Sequence, residues 1–375
     1  MAPFTVRKLL LCLLTFLVTN AIDAQTQLII SSYATEQQEG IQVYQWNETS
    51  GTLTKMSGVR GIENPSFVGV HPYGKYIVAV SEVANDTQAA VVSYQLNQNT
   101  LEPINKSLVQ GAHPCYVSFS ADGKWLFTAN YSSGNIAVHR FTDSIHSIQH
   151  SIATTGGSVH PTRQTKSHAH AIVQTPDQKY VWITNLGNDR IYVHRYDALN
   201  GISYQPEAAF QCVEGSGPRH VTFHPTLPIA FVMEELTGTV SVIQYQGSAL
   251  RQIQRLAITN TTSTDVGSAD IHVSPDGKFV YATNRGSSNT IVAMQFDAQK
   301  QQLTMVQTLP TGNGPRNFSI SPSGRWVLVA NQKSNDVYIY KRSLTTGLLE
   351  RHAVHTDSAL HRPVCIQWVT NTSAF

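Results

Sequence analysis

Arg219 and Glu235 bound the stretch of this chain whose residue types and spacing best suit chemistry. The stretch reads Gly217-Pro218-Arg219-His220-Val221-Thr222-Phe223-His224-Pro225, turns, and returns through an apolar run to Glu234-Glu235-Leu236. Its outline is a β-hairpin, with a strand entering through Pro218, a turn near Pro225 to Pro228, and a strand leaving through Glu235. A hairpin brings its open ends together, so Arg219 and Glu235 are expected side by side. An arginine beside a carboxylate is either a structural ion pair or part of a site that receives an anion or a developing oxyanion.

The hairpin is one of a series. Its turn, His224-Pro225, recurs as His71-Pro72-Tyr73-Gly74-Lys75, Ser120-Ala121-Asp122-Gly123-Lys124, Thr175-Pro176-Asp177-Gln178-Lys179, Ser274-Pro275-Asp276-Gly277-Lys278 and Ser321-Pro322-Ser323-Gly324-Arg325. The reference positions 72, 121, 176, 225, 275 and 322 are spaced by 49, 55, 49, 50 and 47 residues. Each turn is followed by an aromatic or β-branched run, a short polar loop, a third alternating strand and a weaker fourth. Four strands per unit of this length is the pattern of a propeller blade. Six turns give six units. The seventh is assembled from both chain ends: Arg362 to Val369 repeats the inner strand, and Leu28 to Tyr33 and Gly40 to Trp46 supply its missing partners. Pairing the ends in one blade removes an exposed edge. The expected fold is therefore all-β, a single seven-bladed propeller over residues 25–375.

Aligned repeats place residues in columns. Six before the turn reference stand Ser66, Cys115, His170, Arg219, Ala269, Arg316 and, in the split blade, Val364. The next column holds Phe67, Tyr116, Ala171, His220, Asp270, Asn317 and Cys365. Ten after the reference come Glu82, Tyr131, Leu186, Glu235, Arg285 and Gln332. The first and last columns are neighbours in every hairpin, so they ring one mouth of the central channel. Small or polar filler accounts for Ser66, Ala269, Val364 and Leu186, and turn hydrogen bonding for the Asn130, Asn185, Asn284 and Asn331 column. It does not account for His170, Arg219, Arg316, Glu235 and Arg285, because charges in a crowded channel are paired or used. Cationic donors outnumber carboxylates there, which suits an anionic ligand or an oxyanion.

Other features narrow the class. Residues 1–24 follow the order of a secretory leader: Arg7 and Lys8, the apolar run Leu9 to Val18, and a small-residue exit at Ala21-Ile22-Asp23-Ala24. Export to a periplasm or the medium is expected, with no membrane anchor after cleavage. The formal net charge is +2 with no basic stripe, which argues against nucleic acid. Cys115, Cys212 and Cys365 read as buried free thiols, with room for one disulfide. His168-Ala169-His170 sets two imidazoles on one strand face, but no third ligand has a defined spacing, so no metal is assigned. No cofactor fingerprint is present, and a monomer is expected. The segments Asp143–Ser167 and Asn260–Ser268 read as solvated loops, with a lid overhanging the mouth as the alternative for either.

These columns resemble the propeller-type lactonases, a family that contains bacterial 6-phosphogluconolactonase and is similar to the fungal carboxymuconate-lactonizing enzyme. The resemblance rests on Ala129-Asn130-Tyr131 with Gly134-Asn135, Arg163-Gln164 before His168-Ala169-His170, and Leu186-Gly187-Asn188-Asp189-Arg190. It continues through Gly217-Pro218-Arg219-His220, Glu235-Leu236, Asn284-Arg285-Gly286 and Gly314-Pro315-Arg316. It implies a seven-bladed fold and chemistry on cyclic esters, and its active-site residues match His170, Arg219, Glu235 and Arg285. Glu234 departs from the asparagine that relatives often carry there. The resulting expectation is hydrolysis of a sugar δ-lactone, either 6-phosphogluconolactone-like or an unphosphorylated aldonolactone. Glu235 or His170 would be the base, and Arg219 and Arg285 would hold the anionic group and the oxyanion. Arg316, His220 and His168 would make further substrate contacts. The competing expectations are a non-catalytic exported propeller that binds an anionic ligand or a protein partner, and a muconate-type cycloisomerase.

Overall fold

The computed structural model describes residues 26–259 and 266–369. The leader reading of residues 1–24 lies outside the described residues, as do residues 260–265 of the Ser/Thr-rich segment. Seven antiparallel sheets stand around a common axis. Each inner strand packs against the inner strands of both neighbours, and the circuit closes.

Blade 1 spans Val68–Val70 to Thr100–Leu108, blade 2 Pro114–Phe119 to Ile145–Ala153, and blade 3 Ala169–Gln174 to Ala208–Gln211. Blade 4 spans Pro218–Phe223 to Ala249–Ala257, blade 5 Ser268–Val273 to Gln302–Pro310, and blade 6 Pro315–Ile320 to Leu349–His355. Blade 7 is the expected split blade. Its inner strand Pro363–Val369 pairs with Thr26–Ser32, which pairs in turn with Ile41–Asn47 and then Thr52–Val59. The closing register runs from Gln27↔Val369 to Ser32↔Pro363. Trp46 secures it, meeting Trp326 of blade 6 and Trp368 edge-to-face at 5.4 and 5.8 Å. Such pairs add roughly 0.5–1.5 kcal/mol each beyond the area they bury.

The repeated turn has a local cause. In blade 2 the Ser120 hydroxyl donates to Asp122 Oδ1 at 2.6 Å and accepts from the Trp125 amide at 3.0 Å. Asp122 Oδ1 also accepts from the Lys124 amide. Gly123 supplies the left-handed residue, with φ 70°. Blade 5 repeats this with Ser274 and Asp276, and blade 3 with Thr175 and Asp177. In blade 4 His224 stands at the Ser120 position and Thr226 at the Asp122 position, and the imidazole takes over the accepting role through Nδ1, from the Thr226 and Leu227 amides. The middle strands of the blades are buried along their length, as in Ile229–Glu234 and Tyr180–Asn185. Cys115, Cys212 and Cys365 are free and buried.

One expectation needs correction. The segment 143–167 is a solvated loop only in its second half, where residues 154–167 run as a largely exposed coil. Ile145–Ala153 is the fourth strand of blade 2. The remainder is pinned: Gln164 Nε2 donates to Leu186 O at 2.8 Å and to Asp189 Oδ1 at 2.7 Å, and Asn185 Nδ2 donates to Thr154 Oγ1 and Ser167 Oγ. Buried side chains of blade 3 therefore anchor this coil at Thr154, Gln164 and Ser167, while the residues between them remain mostly exposed. The longest repeat interval, 55 residues, contains this segment.

Candidate functional site

The inner strands of blades 2 to 7 share an irregularity that aims the site. In blade 4 the register steps from Pro218↔Glu234 to His220↔Met233, leaving Arg219 as an extra residue. The same step isolates Cys115 in blade 2, His170 in blade 3, Arg316 in blade 6 and Val364 in blade 7. Blade 5 has it across Ser268 to Ile271. A bulge bends the strand and re-aims a side chain. Here it turns the column six before each turn toward the axis, where the plain alternation of a strand would not send it.

The result is a cavity of about 260 Å³ at the channel mouth, lined by Glu82, Cys115, Tyr131, Arg163, His170, Glu235, Arg285 and Arg316. Arg219 lies against its floor. Glu235 is the hub. Its Oε1 accepts from Arg163 Nη2 at 2.8 Å, and its Oε2 lies 2.9 Å from Arg219 Nε and 3.3 Å from Arg285 Nη2. Burial favours the neutral acid, but Arg285, Arg219 and Arg163 outweigh it and hold this carboxyl at about 2. Both oxygens are therefore charged and occupied. Burial also pushes Arg285 down against the pull of Glu235, yet a guanidinium remains charged at neutral pH.

Arg219 is held from three sides. Besides Glu235, it donates through Nη1 to Ala269 O and, at 3.0 Å, to His220 Nε2. His220 can accept there because its Nδ1–H donates to Asp270 Oδ1 at 2.7 Å. Asp270 in turn accepts from His272 Nε2, Asn317 Nδ2 and the Phe318 amide. Burial opposes its charge, but His272 and His220 keep it well below the usual carboxylate range. Burial and Arg219 push His220 down to about 4, so it is neutral. Phe67 stacks on Tyr116 at 4.2 Å, and Tyr116 meets His220 edge-on at 5.4 Å, closing the channel below the cavity.

His170 differs from every other charged or polar group at the mouth. Among the described residues, its one side-chain hydrogen-bond contact is the long one between Nδ1 and Cys115 Sγ, 3.9 Å. Burial first, then Arg219, His220 and Arg316, drive its pKa well below that of an ordinary histidine. It is thus a neutral imidazole facing a cationic cavity. Burial and Glu82 raise the neighbouring Cys115 thiol, so it is not a thiolate nucleophile.

Residues 27–368 match the model of the lactonase family, described as a seven-bladed β-propeller. The chain belongs to this lactonase family. It is 32% identical to the 6-phosphogluconolactonase of Bacillus subtilis over 271 residues, covering 70% of this chain and 76% of that one. Among solved structures it is similar to a candidate 6-phosphogluconolactonase of Bacteroides fragilis, with TM-score 0.88, 31% identity, and 93% and 99% of the two chains covered. It is also similar to a periplasmic gluconolactonase of Pseudomonas aeruginosa, with TM-score 0.86, 30% identity, and 92% and 99% covered.

On this lactonase scaffold, the residues singled out from the sequence fall into three positions. His170, Glu235, Arg285 and Arg316 line the cavity, and Arg219 and His220 form the layer beneath. His168 is set back from the cavity: its ring stacks on Tyr131 at 4.3 Å and its Nδ1–H donates to Tyr131 O at 2.8 Å. The sequence reading passed over Arg163, Tyr131, Glu82 and Cys115 as site residues. Three of them stood in the two mouth columns. The signal for Arg163 was the long repeat interval, whose extra residues carry it over the mouth. Asp189 is the buried anchor that makes this work. It accepts from Gln164 on one side and from the Gly215 and Gly217 amides, each at 2.7 Å, on the other. The Arg163 segment and the Arg219 hairpin therefore share one carboxylate. Gly187 is needed at the crossing, because a Cβ there would lie 2.0 Å from Lys166 O.

Proposed function

We propose that the protein hydrolyses a sugar δ-lactone at this mouth, with His170 as general base. The observation that carries the proposal is the contrast between its two candidate bases. Both oxygens of Glu235 are engaged by arginines, whereas the His170 ring, among the described residues, has only the long contact to Cys115 Sγ and keeps a nitrogen lone pair open to the cavity. A carboxylate clamped in this way is a poor proton acceptor but a good anchor for guanidinium groups. In the proposed reaction His170 takes a proton from water as the water oxygen bonds to the lactone carbonyl carbon. The carbonyl oxygen becomes an oxyanion facing Arg285 and Arg219. The ring C–O bond then breaks, the departing alkoxide recovers the proton from His170, and the product is a hydroxy acid. Arg285 and Arg219 neutralise charge that exists only after attack, which is the way such donors lower a barrier. A lactone is a reactive ester, so no serine or cysteine nucleophile is required.

The same proposal has the reaction run after export, on the strength of the leader-like order of residues 1–24. The test is the rate of lactone opening by purified protein above the spontaneous rate. Arg285→Ala is expected to lower kcat by about 10²–10³, the usual cost of losing one oxyanion donor. Glu235→Gln is expected to lower it comparably by releasing three arginines. If folded protein carrying either change kept its full rate, the assigned roles would be wrong. Binding of anions without turnover by the unaltered protein would instead favour a non-catalytic propeller.

A further inference from the structure

The cavity has two sides with different charge balance. On one side Arg163, Arg219 and Arg285 surround the single carboxylate of Glu235. This excess suits the oxyanion and the carboxylate of the product. On the other side stand Glu82 and Arg316, whose charges cancel. Tyr33 joins them: its hydroxyl donates to Glu82 Oε2 at 2.8 Å and accepts from Arg316 Nη2 at 3.0 Å. Among the described residues, neither Glu82 nor Arg316 forms a direct ion pair. Each therefore keeps hydrogen-bonding capacity for something else: Glu82 an accepting oxygen, Arg316 its remaining N–H groups.

We propose that the Tyr33–Glu82–Arg316 corner selects a lactone whose far end carries uncharged hydroxyl groups, and discriminates against a phosphate ester. A sugar hydroxyl both donates and accepts. A carboxylate and a guanidinium set side by side satisfy both functions with charge-assisted bonds. A phosphate has no proton to give Glu82 at neutral pH and would bring two negative charges against it. Arg316 does not offset that, because it already shares its field with Glu82 and Tyr33, and Arg362, 5.1 Å over the Tyr33 ring, is exposed and screened by water. A site that places a like charge against the wrong ligand gains specificity from the repulsion as much as from the contacts it makes. This inference rests on the lactonase reading and names its substrate class.

The test compares δ-gluconolactone with its 6-phosphate on the full mature chain, and in parallel measures calorimetric binding of the two open acids, gluconate and 6-phosphogluconate. The expected result is kcat/KM at least about 10-fold higher for the neutral lactone, with gluconate bound more tightly than its phosphate. Glu82→Gln should raise KM for the neutral lactone and narrow the ratio by about 10-fold. Tyr33→Phe, which keeps the ring and removes the bridging hydroxyl, should narrow it in the same direction. A preference for the phosphate ester, or a ratio that neither change moves, would overturn the selection. If neither lactone is opened, the hydrolase reading fails on its own, and the binding of the two acids still decides which class the corner takes.

Discussion

Glu234 and Glu235 are adjacent in the chain, are almost fully buried, and serve two different regions of blade 4. Glu234 ends the second strand and faces into its own sheet. Thr239 and Ser241 of the next strand donate to it, the latter at 2.7 Å, and Arg255 of the fourth strand pairs with it at 2.6 Å. Glu235 faces the axis, and its three arginines come from the segment before blade 3, from the inner strand of blade 4 and from blade 5. The first carboxylate is satisfied by its own sheet and leaves no charge over. The second is surrounded by more cations than it can neutralise. What separates a structural ion pair from a site is therefore the origin and surplus of the partners, since depth of burial is the same for both.

Four changes would break or sharpen this contrast. The largest effect is expected from His170→Asn, which removes the base on the Glu235 side and should lower lactone opening by about 10²–10⁴. The spontaneous rate is the baseline, and circular dichroism checks the fold. Arg163→Ala should cost less, about 10-fold in kcat/KM, because Glu235 keeps two arginines. A loss confined to stability would return Arg163 to a purely structural role. On the other side, Glu234→Gln should lower stability by about 1–3 kcal/mol, read from denaturant unfolding, and leave kcat/KM within about two-fold. Loss of activity in that variant without loss of stability would erase the distinction between the two glutamates.

The smallest effect concerns pH. His170 is depressed, so its neutral form persists below the ordinary histidine range, and Glu235 is ionised down to about 2. The catalysed rate should then be flat from about pH 5.5 to 8. A limb centred near 6.5 would mean an ordinary histidine base and would break the assignment. Both shifts act on stability with the same sign. The Glu235 contribution is fully present above its unfolded value of 4.5 and is lost as pH falls toward about 2. His170 adds a loss below 6.5, because the unfolded chain takes up the proton that the fold excludes.

The seven-bladed ring, its closure by the two ends, and the meeting of Arg219 with Glu235 were legible in the sequence. The reason is that each is set locally. Turn chemistry recurs at a nearly constant interval, strands alternate, and a hairpin has only one way to bring its ends together. The columns also marked Glu82, Tyr131 and Cys115, but without a ring of known diameter nothing distinguished them from strand-end filler.

Only the tertiary structure decided the rest. The bulge in the inner strands of blades 2 to 7 turns His170, Arg219 and Arg316 toward the axis, and no residue type announces it. Asp189 draws the long segment before blade 3 over the mouth and delivers Arg163 to a glutamate 72 residues away. The proposed choice of His170 over Glu235 as base rests on how many guanidinium groups reach each one. Sequence marked the columns that supply most of the groups at the mouth. Their charge states depend on distances across different blades, because Coulomb interactions and desolvation act through space and not along the chain.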